Sequence, residues 1–245
     1  MKSILFIFVL LISFLASCRS LSYKCISEDG CPNNKGKYIS RDGHKDIYEG
    51  QLAVPPGFNF EIDRLLPHGF GKMTYGPQSP GTYRIREEGE VYEGFWDWNQ
   101  FKFPRFYGKG TYTWKNGTIT EAEWYDDSAL AGSLGKRKFP DGTVITGIWD
   151  KKSYLCSGDC TNGTGIKTAD MGEWYSKGKF VEGNLSEGLK YTPYFVEEGK
   201  FSQNQLSSGT ITCTSNKDTC VRYIKFYSFN TNKFSSNQIK IIYKD

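Results

Sequence analysis

Two histidines, seven cysteines and a small group of glutamates are the side chains in this sequence that could carry chemistry. His44 and His68 are its only imidazoles. Neither stands in a motif with a Ser or Cys nucleophile, and each lies beside a turn, so both read as surface residues. The segment around "EEGEVYEG" gathers Glu87, Glu88, Glu90 and Glu93. Acid–base pairs need carboxylates in unlike environments, and a solvated turn offers the same one to all of them. "YGKGTY" at 107–112 lacks the Gly-x-x-x-x-Gly-Lys-Ser/Thr spacing of a phosphate loop and fits a strand instead. With no catalytic constellation and no cofactor motif, the chain reads as a non-enzyme without cofactor or small-molecule substrate.

The cysteines point to covalent structure. Setting Cys18 aside leaves six: Cys25, Cys31, Cys156, Cys160, Cys213 and Cys220. An even set in an exported chain suggests disulfides, and the spacing favours three local pairs, Cys25–Cys31, Cys156–Cys160 and Cys213–Cys220. Zinc is the competing reading of such spacing. The scarcity of histidine and the long intervals between pairs argue against a metal.

The first residues supply the export argument. "MKSILFIFVLLISFLASCRS" has a lysine at position 2, an apolar run from Ile4 to Ile12 and small residues before Cys18. That order makes a secretory signal, too short in its apolar part for a membrane span. Leu15-Ala16-Ser17-Cys18 also resembles the lipobox of bacterial lipoproteins. The resemblance implies removal of residues 1–17, lipidation of Cys18 and attachment to a membrane of the bacterial cell envelope. The balance of 31 Lys plus Arg against 27 Asp plus Glu leaves no concentrated basic stripe, which argues against nucleic acid as a partner.

The elements that would position any site follow from an internal repeat. One column runs Tyr92-Glu93-Gly94-Phe95-Trp96, Thr120-Glu121-Ala122-Glu123-Trp124 and Ile145-Thr146-Gly147-Ile148-Trp149, and then more loosely Gly178-Lys179-Phe180 and Gly199-Lys200-Phe201. An aromatic falls two places after each small residue. A second column runs Gly71 to Tyr75, Gly110 to Trp114 and Gly135 to Phe139, and Asn116-Gly117 or Asp141-Gly142 lies between the two. The unit is a β-hairpin, with a tight primed turn expected at Asn-Gly and Asp-Gly. A glycine between two aromatics leaves bare backbone, over which a ring from the neighbouring strand can lie.

These segments resemble MORN repeats, on "YEG" at 48–50 and 92–94, "GFGKMTYG" at 69–76, "YGKGTYTWKNG" at 107–117 and "GKRKFPDGT" at 135–143, with a half unit "GKYISRDG" at 36–43. The resemblance implies an all-β fold, an elongated single-layer antiparallel sheet of successive hairpins. It covers residues 36–213, after a lipidated linker with a short disulfide loop at 18–35. After Gly172 one extra residue shifts the register of the repeat. "VRYIKFYSF" and "NQIKIIYK" within 214–245 alternate apolar and polar residues, which predicts two capping strands at the C-terminus.

Two long insertions fall at the same point of the first two units, "QLAVPPGFNFEIDRLLPH" at 51–68 and "FWDWNQFKFPRFY" at 95–107. They would leave one edge of the sheet and bring Phe58, Phe60, Leu65, Leu66, Phe101, Phe103 and Phe106 together as a partner-binding surface. The alternative is that these loops fold back over the sheet. The function expected is a membrane-anchored interaction scaffold for a protein or envelope partner. The other reading is a binding module for a glycan, a peptidoglycan fragment or a lipid headgroup.

Overall fold

The structure, a computed structural model, describes residues 23–28, 30–57, 65–81, 85–101, 103–169, 173–228 and 239–243, with 223–228 as backbone only. Cys18, Phe58 and Phe60 lie outside the described residues. The chain divides into two units, Met1–Gly108 and Lys109–Asp245. Each is a run of β-hairpins.

The first unit holds β1 (Tyr23–Cys25), β2 (Lys35–Ser40), β3 (Ile47–Ala53), β4 (Leu66–Thr74), the two-residue strands β5 (Ser79–Pro80) and β6 (Ile85–Arg86), and β7 (Val91–Trp98). β8 (Pro104–Thr113) contains the boundary. Strands β1, β2, β3, β4 and β7 pair in that order, all antiparallel. A rank of glycines runs across this sheet: Gly36, Gly50, Gly71 and Gly94 face one another across four strands. A ring does lie over it. A Cβ added at Gly71 would come within 2.6 Å of the Tyr48 ring, so only glycine leaves that ring its place. The Tyr48 hydroxyl donates to the carbonyls of Gln51 at 3.2 Å and His68 at 3.4 Å. Beside it Tyr92 stacks on Phe106 with centroids 3.7 Å apart, and the Trp96 indole donates to the Gly71 carbonyl at 3.2 Å. Strand alternation puts Tyr48, Met73, Tyr92 and Trp96 on one buried face and Glu49, Lys72, Glu93 and Phe95 on the other.

The second unit continues with β9 (Ile119–Tyr125), β10 (Ser128–Ala129), β11 (Leu134–Lys138), β12 (Val144–Trp149), β13 (Tyr154–Gly158) and β14 (Thr164–Ala169). It ends with β15 (Tyr175–Val181), β16 (Asn184–Tyr191), β17 (Phe195–Ser202), β18 (Gln205–Cys213), a helix α1 (Lys217–Ser228) and β19 (Ile239–Tyr243). From β11 to β18 each strand pairs antiparallel with the next. The same ring-on-glycine packing recurs here. The Trp124 indole donates to the Gly110 carbonyl at 3.0 Å, and the Trp149 indole lies where a Gly135 side chain would be.

The turns differ in type from the expectation. At Asn116-Gly117 and Asp141-Gly142 only the glycine has positive φ, +87° and +86°. The side-chain oxygens of Asn116 and Asp141 accept from the amides of Thr118 and Thr143, each at 2.9 Å. Three-residue loops closed by a left-handed glycine replace the two-residue primed turn, because the Asn and Asp side chains hold their own residues out of the left-handed region. Primed turns stand elsewhere, at Asp126-Asp127 (φ 49° and 70°), Glu182-Gly183 (49° and 78°) and Gln203-Asn204 (52° and 62°).

The C-terminal expectation is half corrected. "VRYIKFYSF" is not a strand: its residues up to Ser228 belong to α1. Asn216 caps the helix, its side-chain oxygen accepting from the Thr219 amide at 2.9 Å, and Asp218 lies in the first turn, where the helix dipole favours an acid. These end signals outweigh a short apolar alternation. Ile239–Tyr243 is the second expected strand, but it pairs parallel with β18. A helical crossover returns the chain in the same direction, whereas a tight turn would have reversed it.

All three local disulfides are formed, Cys25–Cys31, Cys156–Cys160 and Cys213–Cys220, with Cα atoms 6.0, 6.1 and 5.8 Å apart. Cys213 and Cys220 are buried with Phe195 and Ile211, so the last bridge joins α1 to the core beneath β17 and β18.

Buried tyrosines give this fold an alkaline limit. Burial holds the Tyr48 hydroxyl well above the ordinary tyrosine range. Burial, and then the Asp141 carboxylate that accepts from it at 2.6 Å, push Tyr175 up to about 12. In the unfolded chain both titrate near 10.0, the ordinary tyrosine value. Their stabilisation is therefore complete below that pH and is lost as pH rises toward about 12. Urea midpoints should stay level up to about pH 9 and then fall, and Tyr175→Phe should flatten part of the fall. Equal slopes for wild type and variant would rule out Tyr175 as a cause.

Candidate functional site

The two insertions do emerge from one edge, as the loops β3–β4 and β7–β8, which β4 and β7 place two strands apart. Their residues do not form one exposed cluster. Leu66 is buried at the head of β4, where it pairs with Ala53 beside the buried Leu52. Phe106 is buried against Tyr92 and Trp96. Leu65 is half-buried. In the sequence these three fall in the insertions, but β4 begins at Leu66 and the repeat's own aromatic packing claims Phe106.

Phe101 and Phe103 remain outside, 68% and 49% exposed. The loop that carries them is tightly closed. Asn99 donates its amide to the Phe103 carbonyl at 3.0 Å, and its side-chain oxygen accepts from the amides of Phe101 at 3.0 Å and Phe103 at 3.1 Å. One asparagine thereby binds both ends of the loop and turns two rings toward solvent. Beneath the loop, His68 stacks on Trp98 with centroids 4.4 Å apart, and its Nδ1 stands 3.9 Å from Asp97 Oδ1. On the outward face of the same strands Phe70 and Phe95 form an edge-to-face pair at 5.6 Å, both largely exposed.

The other titratable residues singled out in the sequence lie at turns, except Glu93 in β7. His44 is held at a turn, its Nδ1 3.3 Å from the Pro77 carbonyl. Glu90 corrects the picture of a solvated acidic turn, for it is fully buried and accepts from the Glu87 amide at 3.0 Å, while Glu87, Glu88 and Glu93 are exposed. Among the described residues no group of three or more His, Cys, Asp or Glu is placed to hold a metal.

A cavity of about 480 Å³ in the second unit was not expected from the sequence. The register sets Lys167, Ser176, Lys190, Glu197 and Ile211 in one row across β14 to β18, and all five line it. Phe180, Leu185 and Leu206 form an apolar wall on one side, with Trp174, Thr192 and Phe195 on the other. Lys167 donates to the Gly183 carbonyl at 3.1 Å and lies 4.3 Å from the centre of the Tyr154 ring. Burial pushes the Lys167 amine down, opposed by Asp150, and raises the Glu197 carboxyl, opposed by Lys190 directly across the strand pair.

The cavity lies on the face opposite to the one that carries the repeat core in β9 to β12. Trp149 pairs with Leu155 and Ile148 with Cys156, so Gly158 falls on the side away from Gly147. From there the glycine rank Gly158, Gly165, Gly178, Gly188, Gly199 and Gly209 runs on the second face. A one-residue slip moves every side chain to the other side of a sheet. The extra residue read in the repeat after Gly172 lies beyond this slip and did not mark it. Compared with family models and with curated proteins, the chain matches none.

Proposed function

We propose that this protein is a lipid-anchored interaction module of a bacterial envelope, whose MORN-like hairpins present the β7–β8 loop to a protein partner. The observation that carries the reading is the pair Phe101 and Phe103, held in solvent by a loop closed on Asn99. Exposed rings on a loop already fixed by hydrogen bonds can bind without a large ordering cost. Phe70 and Phe95 add apolar surface to the same unit. The anchor is Cys18 in its lipobox-like setting, and the signal-like residues before it support export.

The test is cross-linking in intact envelopes followed by capture with wild type and with Phe101→Glu/Phe103→Glu. Capture should be lost while the melting temperature moves by no more than about 2 °C, since exposed positions contribute little to stability. A large drop in melting temperature with capture retained would show that these rings cover the sheet, and would end the reading. Leu66→Glu or Phe106→Glu should instead destabilise by several kcal/mol, about 3 or more, because each puts a charge in a buried site.

A further inference from the structure

The cavity of the second unit lies where the repeat has lost a ring. In β3 the residue two places before the strand glycine is Tyr48, whose ring covers Gly50 and Gly71. In β15 and β17 the same place holds Ser176 and Glu197, before Gly178 and Gly199. Both line the cavity, as does Phe180 two places after Gly178. The rank of Gly178, Gly188, Gly199 and Gly209 passes between this charged row and the apolar wall, and no side chain projects from it. At Gly165, the neighbour of Gly178 in the rank, the disulfide takes up the space: Cys160 Sγ is 2.9 Å from where a Cβ would stand. Beyond that point the volume stays open, and about 480 Å³ suits a small ligand.

The charges define the ligand. Lys190 is set against Glu197 across β16 and β17, which leaves Lys167 as the cation not matched by an acid in the row. Asp150, the acid acting on Lys167, is engaged by the amides of Lys152 and Tyr154, each at 2.8 Å. Lys167 and Glu197 are both held toward their neutral forms by burial, so a carboxylate beside Lys167 and a hydroxyl donor toward Glu197 relieve a desolvation cost. We infer that the cavity binds a small planar aromatic monoanion of the hydroxyaryl carboxylate class, its ring lying over the glycine rank as the Tyr48 ring does over its own. The carboxylate meets Lys167 and the hydroxyl donates toward Glu197. Ser176, being small, leaves room for the ring. This site is separate from the loop of the first unit and does not depend on its role.

The probe is 4-hydroxyphenylacetate, titrated calorimetrically into the disulfide-intact protein, with saturation-transfer NMR to report contact with the ring. Binding is expected at about 1 mM or tighter. Tyramine, with the same ring and the opposite charge, should bind about tenfold more weakly or worse, and Lys167→Gln should cost the carboxylate a similar factor. Ser176→Tyr refills the space and should abolish binding. Should that variant fail to fold, the tyramine comparison and Lys167→Gln decide the matter. No binding of 4-hydroxyphenylacetate at millimolar concentration would overturn the inference, as would tyramine binding equally well, or chitobiose binding in place of the arene.

Discussion

Gly199→Ala should lower the unfolding free energy by about 3 to 4 kcal/mol, a large share of the stability of a domain of this size. Gly199 has φ +149°, a region that other residues rarely enter, and an added Cβ would lie 2.8 Å from the Gly209 Cα and in contact with the Ser208 carbonyl oxygen. Both obstacles are backbone of the paired strand. Neither can turn aside without parting β17 from β18, so strain and overlap add. Gly142→Ala is the control. Its φ is +86° but nothing stands within 4 Å, so it should cost only about 1 to 2 kcal/mol. Urea unfolding of the two variants separates the effects, and equal losses would refute the close approach of the glycine strands.

Cys18→Ala is expected to abolish fatty-acid labelling and move the protein from the membrane to the soluble fraction. Each buried acyl methylene contributes about 0.8 kcal/mol, so two or more chains hold a protein that has no other anchor in the proposed scheme. No helix among the described residues is long and apolar enough to cross a membrane. Labelling that survives the substitution would sink the lipoprotein reading, and it would leave the loop and cavity proposals standing.

Local signals in the chain determined the hairpins. Alternation in "VYEGFWDW" and the recurrent glycine-to-aromatic interval are visible within a few residues, because strand geometry has a period of two and a glycine between rings has one packing solution. The disulfides were legible for the same reason: cysteines 4 to 7 residues apart are close along the chain, whatever elements they join. What the tertiary structure decided is which side of those strands is inside. Leu66 and Phe106 read as loop residues, yet pairing with β3 and stacking on Tyr92 bury them. Glu90 reads as solvated, yet it sits fully buried at its turn. The slip between β12 and β13 carries the glycine rank to the other face, and only there do Ser176 and Glu197, unremarkable in the sequence, become the lining of a cavity. Burial depends on which strand lies opposite and in what register, and a register is a relation between segments that neither segment contains alone.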